Sequence, residues 1–133
     1  MFHKYFTVRE ANACLPEVKA AIARLQTLER EFESKHLLLD ETIEEGDRFI
    51  LEASLDFIDL EARMVVKHLE SEGILVKSIA QGIVDFPVMI YGKPMLLCWH
   101  QGEEYVSYVH GLNEGYHGRK HLRELLENCE EDD

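Results

Sequence analysis

Residues Asp47 to Gly73 read DRFILEASLDFIDLEARMVVKHLESEG, and this stretch decides the fold. Its apolar residues recur every three or four positions, which is the period of an α-helix. They form two seams along the predicted helix. The first seam is Ile50, Ala53, Phe57, Leu60 and Met64, and the second is Leu51, Leu55, Ile58, Ala62, Val65 and Leu69. A helix with so wide an apolar face needs more than one neighbour. Gly73 is predicted to cap its C-terminus after Glu72.

An earlier helix is predicted to begin at a capping box. The Thr7 hydroxyl can accept a hydrogen bond from the Glu10 amide while the Glu10 carboxylate reaches back. The pattern then continues to about His36, and its apolar positions are Ala11, Leu15, Val18, Ile22, Leu25 and Phe32. Because Pro16 lacks a backbone N–H, it should kink this helix or move its start toward Pro16. Gly46 is the predicted break between the two helices.

The pattern changes after Gly73. Three runs rich in β-branched and aromatic residues follow, separated by turn residues: Ile83 to Ile90, Met95 to Trp99 and Tyr105 to Val109. The short connections predict a three-stranded antiparallel meander. Pro87 indicates that the first of these strands lies at an edge or is bulged.

Three further segments are candidates for short elements. Leu75 to Ile79 and His3 to Phe6 could each add a strand to the sheet. A short amphipathic C-terminal helix is predicted from the spacing of Leu122, Leu125, Leu126 and Cys129.

The predicted fold is therefore α+β: a long antiparallel helical hairpin, a small three-stranded antiparallel meander and a short C-terminal helix. We expect a single domain over residues 1–133, mainly helical in 1–73, with the meander, a glycine-rich loop and the last helix in 74–133. Each long helix would extend roughly 40 Å, beyond the ~30 Å of a compact domain of this size. An isolated hairpin would expose its seams, so we expect a homo-oligomer, most simply a two-fold dimer.

Composition excludes several classes of protein. The net charge of −12, with no basic patch to offset it, disfavours nucleic acid as a partner. No apolar run reaches the ~20 residues of a membrane span, and the first residues lack the apolar core of a secretory signal. The chain has three cysteines, which is an odd number, and they are far apart in the sequence. They form neither a disulfide framework nor a CxxC zinc motif, so we expect a cytoplasmic location.

The segment from His110 to Arg119, HGLNEGYHGR, is the candidate functional loop, because ionisable groups alternate with three glycines after a β run. His110, Glu114, His117 and His121 would share one face of a helix, but glycines at 111, 115 and 118 disfavour that helix. A loop could still gather His110, Glu114 and Asp85 around a divalent metal. Alternatively, His110 and Glu114 brace the loop by hydrogen bonds to its backbone.

Two other kinds of chemistry are open for this loop. A glycine loop ahead of a helix can bind an anion, to which Arg119 would add a bidentate contact. Alternatively, Arg119 forms a structural ion pair with Asp85 or Glu114. A general acid–base set of Asp85, His110 and Glu114 would suit an enzyme. It lacks a nucleophile, since Cys98 is predicted to be a buried core thiol.

Several motifs together resemble a known family. They are Tyr5-Phe6-Thr7 with Glu10-Ala11-Asn12 and Leu15-Pro16, then Gly82 to Pro87, Leu97-Cys98-Trp99, His110-Gly111-Leu112, Glu114-Gly115-Tyr116 and Gly118-Arg119. Over nearly the whole chain they resemble a prokaryotic domain-of-unknown-function family, number 2203. The resemblance implies a long helical segment followed by a small β-rich end, and it implies no activity. It also narrows the candidate site to His110, Glu114 and Arg119, with Asp85 as a partner.

The leading hypothesis for function is a non-catalytic cytoplasmic interaction or scaffold protein that self-associates through its helices. The alternative is a protein that binds a small anion or a divalent metal, with an enzyme as a further variant. Its ligand-binding residues would be Asp85, His110, Glu114 and Arg119. Under the first hypothesis the partner is another protein or a second copy of the chain.

Overall fold

A computed structural model describes residues 2–125 of the chain. Its helices are α1 (Val8–Ala13), α2 (Leu15–Glu41) and α3 (Glu45–Ser71), followed by strands β1 (Leu75–Ser78), β2 (Ile83–Ile90), β3 (Lys93–His100), β4 (Tyr108–His110) and β5 (Lys120–His121). A 3-10 turn, Tyr116–Gly118, precedes β5, and a further helix starts at Leu122. The predicted α+β class and the order of its parts are confirmed. Leu126 and Cys129 of the predicted last helix lie outside the described residues.

The N-terminal capping box forms as predicted. Glu10 N donates to Thr7 Oγ1 at 3.0 Å, and Thr7 N donates to Glu10 Oε1 at 2.9 Å. The proline effect is also confirmed, because α1 ends before Cys14 and α2 starts anew with Pro16 in its first turn. There the missing N–H of proline costs no helical hydrogen bond.

The hairpin connection differs from the prediction in length and in the role of glycine. The second long helix starts at Glu45, and its N-cap Glu44 accepts hydrogen bonds from the amides of Gly46 and Asp47 at 2.9 and 2.7 Å. The predicted break at Gly46 is therefore wrong, since Gly46 lies in the first turn of α3. Glu44 stabilises that turn by satisfying two of its free amides. The preceding helix continues to Glu41 instead of ending near His36.

Gly73 ends α3 as predicted. Its φ of 88° places it in the left-handed region. Ile74 N donates to Leu69 O at 3.0 Å and Gly73 N to Glu70 O at 2.9 Å, the two bonds of a Schellman motif. Leu69 and Ile74 are both fully buried, as the accompanying hydrophobic contact requires. This cap turns the chain directly into β1.

The sheet is a meander with the strand order β1-β2-β3-β4-β5, and every pair is antiparallel. It contains the three predicted strands and two short additional ones. The candidate strand at Leu75 to Ile79 is present as β1, whereas His3 to Phe6 forms no strand. The third predicted strand begins three residues late, at Tyr108. The short β5 follows the candidate loop and pairs with β4.

Pro87 lies in β2 at a point where β1 has already ended, because β1 pairs only as far as Asp85. On that open side, Phe6 N donates to Pro87 O at 2.7 Å. The nitrogen and the oxygen of one strand residue point to the same side, so the missing N–H of Pro87 removes no bond to β3. The strand is locally an edge, as the proline predicted.

One face of the sheet packs on the helices. The buried cluster includes Val18, Ile22 and Leu25 of α2, Leu69 of α3, and the sheet residues Val84, Phe86, Val88, Leu97, Trp99 and Val109. Leu55 and Ile58 of the second seam of α3 are also buried, at 7 and 8% exposure. The single-domain boundary at residues 1–133 stays a prediction.

The first seam of α3 is uncovered. Ile50, Phe57, Leu60 and Met64 are 66, 73, 53 and 63% exposed. The buried residues of α3, Leu55, Ile58 and Leu69, all belong to the other seam. Among the described residues, no helix has the length and apolarity to cross a lipid bilayer.

Candidate functional site

Strand pairing brings three reactive side chains together on the second face of the sheet. Asp85 of β2 lies directly opposite Cys98 of β3, and His110 of β4 lies opposite Leu96. Residues two apart on a strand share a face, so Asp85, Cys98 and His110 all lie on the side away from the helices. Each offers one ligand atom, and these atoms lie within 4.8 Å of one another. We call these three residues the buried triad.

Asp85 and His110 form a hydrogen-bonded pair with almost no solvent contact. His110 Nε2 lies 3.0 Å from Asp85 Oδ2, and the two side chains are 4 and 2% exposed. His110 Nδ1 lies 2.8 Å from Gly111 O, which can only accept, so Nδ1 carries a proton. The second proton then lies between Nε2 and Oδ2, either as an ion pair or as a neutral pair.

The surroundings of Asp85 disfavour its charge. Burial raises the pKa of the Asp85 carboxyl, and the neighbouring His110 and a hydrogen bond with the Cys98 thiol partly oppose this effect. Its other oxygen, Oδ1, is buried and has no hydrogen-bond partner within the described part of the chain. An unsatisfied buried oxygen costs about 1–3 kcal/mol, so this atom marks an incomplete polar site.

Cys98 is the third member of the triad. The thiol is fully buried, and burial together with the nearby Asp85 raises its pKa to about 12. Such a thiol is not a nucleophile at neutral pH. The prediction that Cys98 is a buried thiol is confirmed. Its position beside Asp85 was missed, because only the strand register makes the two residues neighbours.

Arg119 lies beside the triad and is fully engaged. Its Nη1 and Nη2 donate to the two carboxylate oxygens of Glu103, each at 3.0 Å. The guanidinium lies over the rings of Tyr108 and Tyr116 at 4.1 and 4.3 Å from their centroids. Its Nη1 also lies 3.9 Å from Cys98 Sγ. The predicted ion pair of Arg119 with Asp85 or Glu114 is therefore wrong. Arg119 pairs with Glu103, which lies in the turn after β3.

Glu114 is separate from the triad and braces the loop. Its Oε1 accepts from Gly111 N at 3.2 Å. A Cβ built at Gly118 would meet Glu114 Oε2 at 2.5 Å, and one at Gly111 would meet Oε1 at 2.6 Å. These two glycines therefore make room for the carboxylate. The structure does not join Glu114 to Asp85 and His110 as the predicted metal set required, and Cys98 takes its place beside them.

Of the four predicted site residues, Asp85 and His110 lie together, Arg119 lies beside them and Glu114 lies apart. Their neighbours Cys98, Glu103 and Tyr108 were not predicted. The alternation along β3 was an available signal, because Cys98 shares a face with His100, away from Leu97 and Trp99. No comparable signal identified Glu103. Its bonds to Arg119 bridge a gap of 16 residues, which no local pattern covers.

The protein is a two-layer α+β protein, and its buried triad lies on the face of the sheet away from the helices. A family model described as "Uncharacterized conserved protein (DUF2203)" matches residues 4–122. The chain therefore belongs to this family, as its motifs indicated. No curated protein and no solved structure matches the chain.

Proposed function

We propose that this protein is a non-catalytic interaction protein that self-associates through the first seam of α3 into a two-fold dimer. The observation that carries the proposal is the exposure of Ile50, Phe57, Leu60 and Met64, each more than half open to solvent. Contiguous apolar surface of this kind marks interaction sites in soluble proteins.

The area of the seam suits a dimer. Its four exposed side chains present on the order of 500 Å² of apolar surface. A standard interface buries about 800 Å² on each partner, and homodimer interfaces are about 65% apolar. The seam alone therefore supplies about the apolar area that one partner needs. Phe49, which is 73% exposed, adds further surface at its N-terminal end.

The occupant that best fits the seam is a second copy of the chain. Ile50, Phe57 and Met64 are seven residues apart, so Phe57 lies midway between the other two. Two antiparallel copies of α3 would then pair Phe57 with Phe57 and Ile50 with Met64. Apolar residues at heptad spacing favour this kind of helix pairing.

Charge around the seam does not oppose the pairing. Glu61 is paired with Arg24 at 2.6 Å, and Asp59 with Arg63 at 2.7 Å. These charges are balanced within one chain, and salt screens the remaining acidity beyond about 8 Å.

The burial of the triad and the pairing of Arg119 support a non-catalytic role. Asp85, Cys98 and His110 are at most 4% exposed, so a substrate has no open route to them. Arg119, the predicted anion ligand, is already bound to the carboxylate of Glu103. A cytoplasmic location belongs to the same proposal, because Cys14 and Cys98 are both free thiols.

The test is the solution mass of three proteins by light scattering at micromolar concentration. The wild type is expected at twice the 15.4 kDa chain mass. Phe57→Glu places a charge at the centre of the seam and is expected at the monomer mass. Lys93→Gln makes the same change in net charge at an exposed position at the start of β3 and should stay dimeric. A monomeric wild type, or a dimeric Phe57→Glu, contradicts the proposal.

A further inference from the structure

We propose that the buried triad is a zinc site, in which Asp85, Cys98 and His110 bind one Zn²⁺ at the face of the sheet beneath Arg119. The inference is independent of the dimer. It rests on the kinds of ligand atom, their spacing and the unsatisfied oxygen of Asp85.

The ligand types suit zinc. A thiolate, an imidazole and a carboxylate are the three side chains that zinc takes in proteins, at about 2.0–2.3 Å. Tetrahedral ligands at those bond lengths lie roughly 3.3–3.8 Å apart. Here Nε2 and Oδ2 are 3.0 Å apart and all three ligand atoms lie within 4.8 Å. Side-chain shifts of less than about 1 Å would therefore complete the geometry.

His110 is already oriented for a metal. Its Nδ1 proton is donated to Gly111 O, which leaves Nε2 as the nitrogen that faces Asp85. Metal-binding histidines in proteins are fixed in this way by a hydrogen bond from the other ring nitrogen. A backbone carbonyl therefore sets both the ring orientation and the tautomer.

Asp85 can supply two donor atoms. Oδ2 faces His110, and Oδ1 is buried with no hydrogen-bond partner among the described residues. A carboxylate that binds through both oxygens occupies one corner of the tetrahedron, because its two oxygens are too close together to fill two, so a water molecule would complete the site. Zinc would thus satisfy the one buried side-chain oxygen that the described part of the chain leaves without a partner.

The exchange conserves charge. Binding displaces the thiol proton of Cys98 and the proton shared by Asp85 and His110, and both leave to solvent. One Zn²⁺ replaces two protons, so the buried site gains no net charge. The neighbouring Arg119 is neutralised by Glu103, and its guanidinium can donate to the thiolate formed at Cys98.

The test uses cobalt as a spectroscopic substitute for zinc. The full chain with Cys14→Ser and Cys129→Ser retains Cys98 as its one thiol, since the sequence has three cysteines. Because the triad is buried, Co²⁺ is added to the native protein and, separately, during refolding. A thiolate-to-cobalt charge-transfer band by either route, abolished by one equivalent of Zn²⁺, is expected. Absence of the band by both routes overturns the proposal.

Calorimetry in buffers of different ionisation enthalpy then counts protons. Two protons released per Zn²⁺ are expected, and fewer than one contradicts thiolate binding. The control is His68→Ala, which removes the exposed cluster of Glu17, His68 and Glu72 and should leave zinc affinity unchanged. His110→Gln should weaken it at least tenfold. If His68→Ala abolishes binding, the metal lies on the surface and the triad is not the site.

Discussion

Asp85 and His110 are the two charged or polar side chains that the described part of the chain buries, and they bind each other at 3.0 Å. Asp85 is the partner of His110 Nε2, since the other ring nitrogen, Nδ1, is bonded to Gly111 O. Because the pair joins β2 to β4 across β3, it ties the second face of the sheet together.

Removal of one partner should cost more than removal of both. His110→Leu leaves the Asp85 carboxylate buried and unpaired, which we expect to cost about 3–5 kcal/mol. Asp85→Leu with His110→Leu leaves no buried charge and should be destabilised less than the sum of the single changes. Urea unfolding of the four proteins gives the coupling free energy. If the losses in unfolding free energy of the two single variants add up to that of the double variant, the Asp85–His110 hydrogen bond contributes no coupling free energy.

The pair should also give stability a pH dependence. The pKa of Asp85 is raised in the fold above its ordinary 3.8, so the folded state holds this proton more tightly than the unfolded state. The stabilising effect is complete below 3.8 and is lost as pH rises through the folded-state value. Relative to Asp85→Asn, the wild type should therefore lose stability from acid toward neutral pH. Parallel unfolding curves for the two proteins against pH would refute this assignment.

The glycines of the candidate loop should not be equivalent. Gly118→Ala would place a Cβ 2.5 Å from Glu114 Oε2 and 2.7 Å from Glu114 Cβ, whereas a Cβ at Gly115 meets nothing within 4 Å. We expect Gly118→Ala to cost about 1–3 kcal/mol and Gly115→Ala to be neutral or slightly stabilising. Thermal and urea unfolding compare them directly. Equal effects would mean that Glu114 does not fill the space beside Gly118.

Arg119 should not tolerate lysine. Lysine keeps the charge but cannot make two parallel bonds to Glu103 or stack between Tyr108 and Tyr116. We expect Arg119→Lys to lose about 1–3 kcal/mol of stability. Arg63→Lys is the matched control, since the Arg63 side chain is 70% exposed in its pair with Asp59 and should change stability by under ~0.5 kcal/mol. Similar losses of stability in both variants would show that the paired bonds to Glu103 and the stacking on the two tyrosine rings do not stabilise the fold.

The features that sequence predicted are those encoded locally. Thr7 and Glu10 are three residues apart, and Gly73 caps a helix that its own neighbours define, so both were predicted from short-range rules. Asp85 was predicted as a partner of His110 from the motifs that carry the family resemblance, and the structure pairs the two side chains. Cys98 and Glu103 became their neighbours only through the register of three strands, which spacing along the chain does not specify.

Gly46 shows why a local rule can fail. Glycine is a common helix breaker, but the capping carboxylate of Glu44 satisfies the amide of Gly46, and α3 begins at Glu45, two residues before the predicted start at Asp47. The first seam of α3 shows a different limit. Its apolar pattern was visible in the sequence, but only the fold distinguishes the uncovered seam from the one that packs on α2 and the sheet.

The most direct test of the proposed dimer follows two methionines of the wild-type chain. Met64 lies in the seam and is 63% exposed, and Met89 lies on β2 and is 50% exposed. Oxidation by dilute peroxide is followed at each residue by mass spectrometry, at protein concentrations from nanomolar to high micromolar. We expect Met64 to become protected at least several-fold as concentration rises, while Met89 reacts at a constant rate. Equal reactivity of Met64 at every concentration would contradict self-association through α3.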